Sequence, residues 1–289
     1  MKVEPEPSFV EHDGLEIAVL DWGGDGEPLL LLHPTGFCAG FLDPLAQRLG
    51  DRYRPIGVDM RAHGASDSPR DRAGYAFVHL ADDIVAVLDH LGIDRCVALG
   101  ESLGGGVASL VDAVRPGLFR RLMLCEGIAF DADSFVRPGA NETGDGGNYM
   151  ADIARKRRPV WPDRETVRES YASRPPLDVL APEALDAYLR WGFVDLPDAT
   201  VRLACSPDDE ATMFEAAVDD DSAPAAWRHL PDLSCRTTVL RGDSSNLPGP
   251  WFEAQADAAD APIVTVAGSH FFLQEDTDRA EALVREHLA

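Results

Sequence analysis

The sequence is short of basic residues, cysteine and long apolar runs, and each shortage excludes a class of protein. Its 26 Lys and Arg stand against 50 Asp and Glu, which gives a formal net charge of −24. A chain this acidic repels phosphate backbones and anionic membrane surfaces, so we expect no nucleic-acid partner. No run approaches the roughly 20 apolar residues that a membrane span needs. Residues 1–8 are rich in Glu and Pro and lack the apolar stretch of a secretory signal.

The five cysteines are an odd number and are widely scattered, which argues against a disulfide framework. Cys96 and Cys125 lie in apolar, strand-like runs, where a free thiol packs as a small hydrophobe. Neither Cys-x-x-Cys nor His-Glu-x-x-His occurs, so no zinc site is indicated. These patterns predict a cytoplasmic protein that uses no metal or other cofactor. No pattern indicates an oligomeric state.

What the sequence does contain is an alternation of short apolar runs and helical spacing. With 289 residues, 45% of them hydrophobic, the chain can form one large domain or a core domain with an inserted subdomain. Four consecutive leucines at 29–32 are apolar on both faces, as in a buried strand of a parallel sheet. Similar runs occur at 54–58, 96–99, 122–125, 237–240 and 263–266. The alternation predicts an α/β fold with a mainly parallel sheet.

The alternation stops after Glu126 and resumes near residue 233. Between these points no run is a convincing strand, and residues 137–148, rich in Gly, Pro and polar residues, are interpreted as a mobile loop. Helical spacing occurs at 149–158, 164–172, 182–191 and 209–218. We therefore predict a helical cap at 127–232, inserted into a core domain that is formed by residues 1–126 and 233–289.

One turn carries the clearest chemical signal. The sequence Gly-Glu-Ser-Leu-Gly at 100–104 follows a strand-like run and precedes a helical pattern, which is the arrangement of a nucleophile elbow. The reversal is so sharp that Ser102 would adopt a strained backbone conformation with its side chain exposed, and the glycines would keep neighbouring Cβ atoms away. Ser102 would also begin a helix, whose free N–H groups can stabilise an oxyanion. We predict Ser102 as a nucleophile.

Three further motifs accompany this turn: His-Pro-Thr-Gly at 33–36, Asp-x-Arg-x-His-Gly-x-Ser at 59–66 and Gly-Ser-His at 268–270. Over nearly its whole length the chain resembles the α/β-hydrolase superfamily, in particular cap-bearing serine hydrolases of the lipase/esterase-like branch. The resemblance implies the α/β-hydrolase fold: a mostly parallel eight-stranded sheet flanked by helices, with the cap inserted after the sixth core strand. Glu101 stands where His is frequent in this family, a position that usually points away from the substrate.

The resemblance also implies a general base. Ser102 needs one to take its proton during attack, and His270 follows the last strand as the catalytic His of the family does. His33 and His63 lie in family motifs where histidines usually hold loops in place.

The third member of the triad is ambiguous. The usual acid follows the seventh strand, three residues after a Gly, and here Ser245 occupies that position. Asp243 is nearby but two residues early. A second placement, known in capped members of the family, ends the sixth strand, where Glu126 lies. We favour Glu126, with Asp243 as the alternative, because a carboxylate at the end of an apolar strand must be paired or lie in a site.

Two backbone N–H groups are expected to form an oxyanion hole, one from Leu103 and one from Thr35, since Pro34 has none. A Ser at the elbow disfavours the Asp-based chemistry of haloalkane dehalogenases and epoxide hydrolases. We predict hydrolysis of a small-molecule ester, thioester or lactone through an acyl-enzyme on Ser102. Two alternatives remain: the same triad used for acyl transfer, carbon–carbon hydrolysis or cyclisation, and a non-catalytic, ligand-binding member of the fold.

Two features of the predicted cap stand out by residue type. Its aromatic residues either line an apolar pocket or form the core of the cap itself; they are Trp161, Tyr171, Tyr188, Trp191 and Phe193. The basic run at 155–158 is interpreted as a solvated helix face rather than an anion site.

Overall fold

The computed structural model describes residues 3–131 and 148–289. Along these residues the strands are Ser8–His12 (β1), Leu15–Asp21 (β2), Glu27–Leu32 (β3), Tyr53–Val58 (β4), Cys96–Glu101 (β5), Phe119–Cys125 (β6), Val160–Trp161 (β7), Phe193–Asp195 (β8), Val201–Leu203 (β9), Arg236–Gly242 (β10) and Ile263–Val266 (β11). The α-helices are Asp43–Leu49 (α1), Phe77–His90 (α2), Leu103–Val114 (α3), Tyr149–Arg155 (α4), Arg164–Tyr171 (α5), Pro182–Trp191 (α6), Pro207–Ala216 (α7), Ala223–His229 (α8), Gly249–Ala258 (α9), Phe272–Glu275 (α10) and Thr277–His287 (α11).

The central sheet has eight strands in the order β1-β2-β4-β3-β5-β6-β10-β11. β2 is antiparallel to both of its neighbours, and every other neighbouring pair is parallel. The expected mostly parallel, eight-stranded sheet flanked by helices is therefore confirmed.

The leucines of β3 show why this sheet is covered on both faces. All four side chains at 29–32 are fully buried. Leu30 and Leu32 belong to the apolar cluster that includes α2 and α3, whereas Leu29 and Leu31 belong to the cluster that includes α1 and α11. Because alternate residues of a strand point to opposite faces, an uninterrupted apolar run needs helices on both sides.

The order of the strands decides which loops meet. β5, β6, β10 and β11 lie side by side and parallel, so their carboxyl ends lie along one edge of the sheet. Ser102 directly follows β5, Glu126 directly follows β6, and His270 comes in the loop after β11. The fold thus carries residues that are far apart in sequence to one edge, as is usual for sites in α/β sheets.

The segment between β6 and β10 contains the four predicted helices, as α4 to α7, with bounds within a few residues of the helical spacing. It also contains two features that the sequence did not show. One is a small antiparallel sheet in the order β7-β9-β8, and the other is α8. Strands of two or three residues are too short to produce a recognisable alternation. Most of the predicted loop, residues 137–147, lies outside the described residues; Asn148 is described, and its side chain accepts a hydrogen bond from the Ala151 N–H at the start of α4.

Among the described residues no helix combines the length and the apolar character required to cross a membrane.

Candidate active site

Ser102 lies at a sharp turn between β5 and α3. Its backbone has φ 54° and ψ −117°, in the region that side-chain-bearing residues rarely adopt. Such a conformation costs about 1–3 kcal/mol and persists only where the surroundings impose it. Here the Ser102 N–H donates to the Cys125 carbonyl at 2.9 Å, and the Ser102 carbonyl accepts from the Ile128 N–H at 2.9 Å. These two bonds tie the turn to the chain that leaves β6.

The glycines on either side of Ser102 are needed for close approach. A Cβ atom on Gly100 would lie 2.4 Å from the Gly104 carbonyl oxygen, and one on Gly104 would lie 2.3 Å from the Leu32 carbonyl oxygen. Larger residues would therefore push α3 away from the sheet. The expected exposure of Ser102 differs from the structure, since the residue is only 7% exposed.

His270 and Glu126 form the central contact of the site. The His270 Nδ1 atom lies 2.6 Å from Glu126 Oε2, and the carboxyl group is fully buried. Because a carboxylate only accepts hydrogen bonds, this contact places the imidazole proton on Nδ1 and leaves Nε2 as an acceptor. No hydrogen bond joins the Ser102 hydroxyl to the His270 ring within the described parts of the chain; such contacts are often long before a substrate binds.

Two further donors satisfy the buried Glu126 carboxylate. The Gly242 N–H donates to Oε1 at 2.7 Å, and the Ser245 hydroxyl donates to Oε2 at 2.7 Å. With His270, the carboxylate accepts three hydrogen bonds, which offset the cost of burying a charge. Glu126 also has a positive φ of 48°, so its backbone is strained in the same way as that of Ser102.

Asp243, the alternative acid, has a different partner. Its side chain is exposed, and Oδ1 accepts a hydrogen bond from the Gly268 N–H at 3.0 Å. Among the residues that the structure describes, no hydrogen bond links it to His270. Asp243 instead supports the loop that leads to His270.

The role of Ser245 is one that sequence reasoning missed. The sequence shows only that Ser245 occupies the usual acid position, yet its hydroxyl is bonded to the acid at the second position. The position itself was the available signal. A residue that stands where the family places a carboxylate lies beside the same imidazole, and a hydroxyl there can serve as donor.

The two residues predicted to form the oxyanion hole follow neighbouring strands of the sheet. Leu103 is the first residue of α3, and Thr35 lies in the loop after β3. Within residues 3–131 and 148–289 no hydrogen bond takes up the N–H of either residue. Both donors therefore remain available, and a helix N-terminus adds favourable dipole character at Leu103.

Two buried histidines hold the loop that contains Thr35. The Gly36 N–H donates to His63 Nε2 at 3.0 Å, and the Met60 N–H donates to His33 Nε2 at 3.0 Å. Burial lowers the pKa of His63 to about 4 and lowers the pKa of His33 well below its ordinary value. Each ring is therefore neutral and able to accept at Nε2, which gives both histidines the loop-holding role expected of them.

The aromatic residues of the predicted cap pack together, as expected if they form a core. Trp161, Tyr188 and Phe193 are buried in one apolar cluster with Phe37, Phe41 and Phe271, and the partly buried Tyr171 and Trp191 pack against it. Phe37 stacks on Phe41 with a centroid distance of 4.3 Å and lies 4.6 Å from Tyr188 and 5.3 Å from Phe271. Because Phe37 follows Gly36 and Phe271 follows His270, the cluster fixes both loops against the inserted helices.

Arg157 departs from the interpretation of the basic run as a solvated face. Its neighbours Arg155, Lys156 and Arg158 are more exposed, but Arg157 is half-buried and forms an ion pair with Glu210. It also donates to the Tyr188 hydroxyl at 2.8 Å, and that hydroxyl donates to the Gly36 carbonyl at 3.1 Å. The network therefore reaches the loop that holds Thr35.

No cluster of three or more His, Cys, Asp or Glu side chains in the described chain is arranged to hold a metal ion.

Comparison with known proteins agrees with the fold. Residues 27–197, more than half of the chain, match the protein family whose description is "alpha/beta hydrolase fold". The 2-(acetamidomethylene)succinate hydrolase of Mesorhizobium japonicum is 26% identical over 256 residues, which cover 87% of this chain and 84% of that protein.

Solved structures extend the likeness to the whole chain. The crystal structure of E-2-(acetamidomethylene)succinate hydrolase has a TM-score of 0.79 at 21% identity and covers 99% of both chains. A thioesterase domain from the curacin biosynthetic pathway has a TM-score of 0.77 at 20% identity and covers 99% of this chain and 100% of the domain. At these sequence identities the structural similarity establishes only a shared fold. With the parallel sheet and the turn at Ser102, the family match shows that this chain belongs to the α/β-hydrolase family and is a hydrolase of that fold.

Proposed function

We propose that the protein is a serine hydrolase that cleaves an ester, thioester or lactone through an acyl-enzyme on Ser102. The observation that carries this proposal is the 2.6 Å contact between His270 and Glu126 at the sheet edge that also bears the strained turn of Ser102. An imidazole paired with a buried carboxylate, at the sheet edge that also bears a serine on a sharp turn, is the arrangement that acyl transfer requires.

In the proposed mechanism, the Ser102 hydroxyl attacks the substrate carbonyl while His270 Nε2 takes its proton. The buried Glu126 carboxylate holds the ring in this tautomer and stabilises the imidazolium. The oxyanion rests on the N–H groups of Leu103 and Thr35, each contributing roughly 3–4 kcal/mol to the transition state. His270 then protonates the leaving group, and a water molecule activated by the same ring releases the acid.

The assignment of the acid rests on donors as well as on distance. Glu126 accepts hydrogen bonds from Gly242, Ser245 and His270, whereas Asp243 is exposed and bonded to Gly268. A group that must stabilise a transient positive charge gains most from a dry, satisfied environment. We therefore assign the role to Glu126.

We further propose that residues 127–232 form a cap over a core domain made of 1–126 and 233–289. The buried aromatic cluster supports this division, because it joins the inserted helices to the loops after β3 and β11. A cytoplasmic location is also proposed, since all five cysteines are free thiols and four of them are buried.

A fluorophosphonate probe tests the nucleophile directly. We expect stoichiometric labelling of the wild-type protein and none of Ser102→Ala. Equal labelling of both proteins, or no labelling of the wild type, would support the ligand-binding alternative instead. Supplying alcohol or amine acceptors with a labelled acyl donor then separates hydrolysis from acyl transfer, because a transferase yields the new ester or amide in place of the free acid.

A panel of substrates then defines the acyl group. p-Nitrophenyl esters of rising chain length report the length of the pocket as a peak in kcat/KM. The panel should include a thioester, a lactone and an N-acyl enamine with carboxylate groups, because the Mesorhizobium japonicum relative is a hydrolase of 2-(acetamidomethylene)succinate. A preference for the last of these would move the proposal from oxygen or sulfur esters to amides.

A further inference from the structure

A second buried carboxyl group lies beside the proposed triad and has no role in the mechanism above. Glu101, the residue before Ser102, is only 1% exposed. Its Oε2 accepts a hydrogen bond from Gln274 Nε2 at 2.7 Å, and Gln274 lies in α10, four residues after His270. This bond joins the turn of Ser102 to the helix that follows the His270 loop.

The second oxygen of Glu101 and the amide oxygen of Gln274 are not satisfied by this contact. Both Glu101 Oε1 and Gln274 Oε1 are buried and lack a hydrogen-bond partner among the described residues. Two unpaired acceptors on facing side chains are costly, since each loses its hydration without compensation.

A single proton on Glu101 would give both of these oxygen atoms a hydrogen-bond partner. A carboxylic acid carries one O–H donor and one carbonyl acceptor, and a carboxamide carries one N–H donor and one carbonyl acceptor on the matching side. The two groups can therefore form a reciprocal pair, in which Gln274 Nε2 donates to Glu101 Oε2 and Glu101 Oε1–H donates to Gln274 Oε1. An ionised Glu101 has no proton to give and leaves both atoms unsatisfied.

We propose that Glu101 is a neutral carboxylic acid, paired reciprocally with the carboxamide of Gln274. Through this pair it acts as a positioning residue, which holds the Ser102 turn against α10, the helix that follows His270. The positioning part of this inference rests on the proposed function; the protonation state does not.

The surroundings of Glu101 favour the neutral form. Among the described residues, the titratable groups that interact electrostatically with Glu101 are His270, Glu126 and the buried thiol of Cys125. Burial raises the pKa of Glu101 to about 7, and the negative charge of Glu126 acts in the same direction, against the opposing effects of the Gln274 hydrogen bond and of His270. A neutral Glu101 also adds no second negative charge beside the carboxylate that serves His270.

Infrared spectroscopy tests the proton without any activity. At pH 5.5 the wild-type protein and Ser102→Ala should both show the C=O stretch of a protonated, buried Glu101, which shifts in D2O and is lost in Glu101→Gln. Subtracting the Glu101→Gln spectrum removes the contribution of Asp59, a buried carboxyl group whose pKa burial raises to about 6. The band should fade as the pH passes about 7. If wild type and Glu101→Gln give the same spectrum at pH 5.5, Glu101 is ionised and the inference is overturned.

Kinetics test the clamp. Glu101→Gln keeps one donor and one acceptor toward Gln274, so kcat at pH 6.5 should stay within about threefold of the wild type. Gln274→Ala removes the pair and should lower kcat about tenfold or more, with little change in KM. Glu101→Ala should match Gln274→Ala, and the double variant Glu101→Ala/Gln274→Ala should be no worse than either single variant. If Glu101→Ala fails to fold, Gln274→Ala and Glu101→Gln still decide the matter. A loss of kcat in Glu101→Gln as large as that in Gln274→Ala would show that a charge is needed and would overturn the proposal.

The two proposals fail in different ways. If Ser102 is not labelled by the fluorophosphonate, the proposed function fails while the infrared band of Glu101 still decides its protonation. If labelling is complete and Gln274→Ala keeps full kcat, the hydrolase stands and the clamp does not.

Discussion

Two buried glutamates lie at neighbouring strand ends, and their hydrogen-bond partners set them apart. Among the described residues, Glu126, which follows β6, accepts three hydrogen bonds, whereas Glu101, which ends β5, accepts one. Both are almost completely removed from solvent. Burial alone therefore does not decide the charge of a carboxyl group; the number of donors that face it does. A site that needs one carboxylate beside an imidazole can tolerate a second acid if that acid holds its proton.

The largest effect in this comparison should come from removing the charge of Glu126. Glu126→Gln keeps the size of the side chain but presents an amide to His270 and favours the wrong tautomer. We expect kcat/KM to fall by roughly 10³–10⁴-fold, as for comparable triad substitutions. Steady-state assays on the best ester of the panel measure the loss. A loss below about tenfold would place the acid elsewhere.

Ser245 should have the next largest effect, because its hydroxyl is one of the three donors to Glu126. A hydrogen bond to a charged group contributes roughly 1.5–3 kcal/mol, so Ser245→Ala should lower kcat about tenfold or more. Ser245→Thr, which keeps the hydroxyl, is the matched control.

Ser245 also allows the comparison to be reversed. Because it occupies the usual acid position, Ser245→Asp in a Glu126→Ala background should regain part of the lost kcat. No recovery in a folded double variant would show that residue 245 cannot direct a carboxylate to His270.

The protonation of Glu101 should be detectable in the pH dependence of the free energy of unfolding. Its pKa is raised from 4.5 to about 7 in the folded protein, so between these values the folded state binds the extra proton. Stability from this residue is therefore present below pH 4.5 and is lost as the pH rises toward and through 7. Relative to Glu101→Gln, the wild type should lose roughly 1–3 kcal/mol between pH 5 and pH 8 in urea unfolding. A parallel pH dependence of the two proteins would contradict a proton on Glu101.

Asp243 should give the smallest effect and serves as the reference for the other three. Its carboxylate is exposed and accepts the Gly268 N–H, so Asp243→Asn, which keeps an acceptor oxygen, should change kcat/KM by less than about threefold. The same assays as for Glu126→Gln measure it. An effect larger than that of Glu126→Gln would reverse the assignment of the acid.

Local patterns predicted much of the framework. The leucines at 29–32 indicated a buried parallel strand, and the glycines around Ser102 indicated the sharp turn; the structure has both. These features depend on residues adjacent in sequence, where side-chain size and backbone conformation act directly. The short strands β7 to β9 escaped prediction because two or three residues carry no period, and Arg157 escaped because its burial depends on Glu210 and two tyrosines from other helices.

By itself, the sequence determined the alternation of strands and helices, the turn at Ser102 and the presence of His270 after the last strand. Only the tertiary structure decided which carboxylate meets that histidine, that Ser245 supports it, and that Glu101 faces Gln274. The physical reason is distance along the chain: Glu126 and His270 are 144 residues apart, and Glu101 and Gln274 are 173 apart. These two hydrogen bonds form because parallel strands bring their carboxyl ends to a common edge, and no local pattern records which side chains meet there.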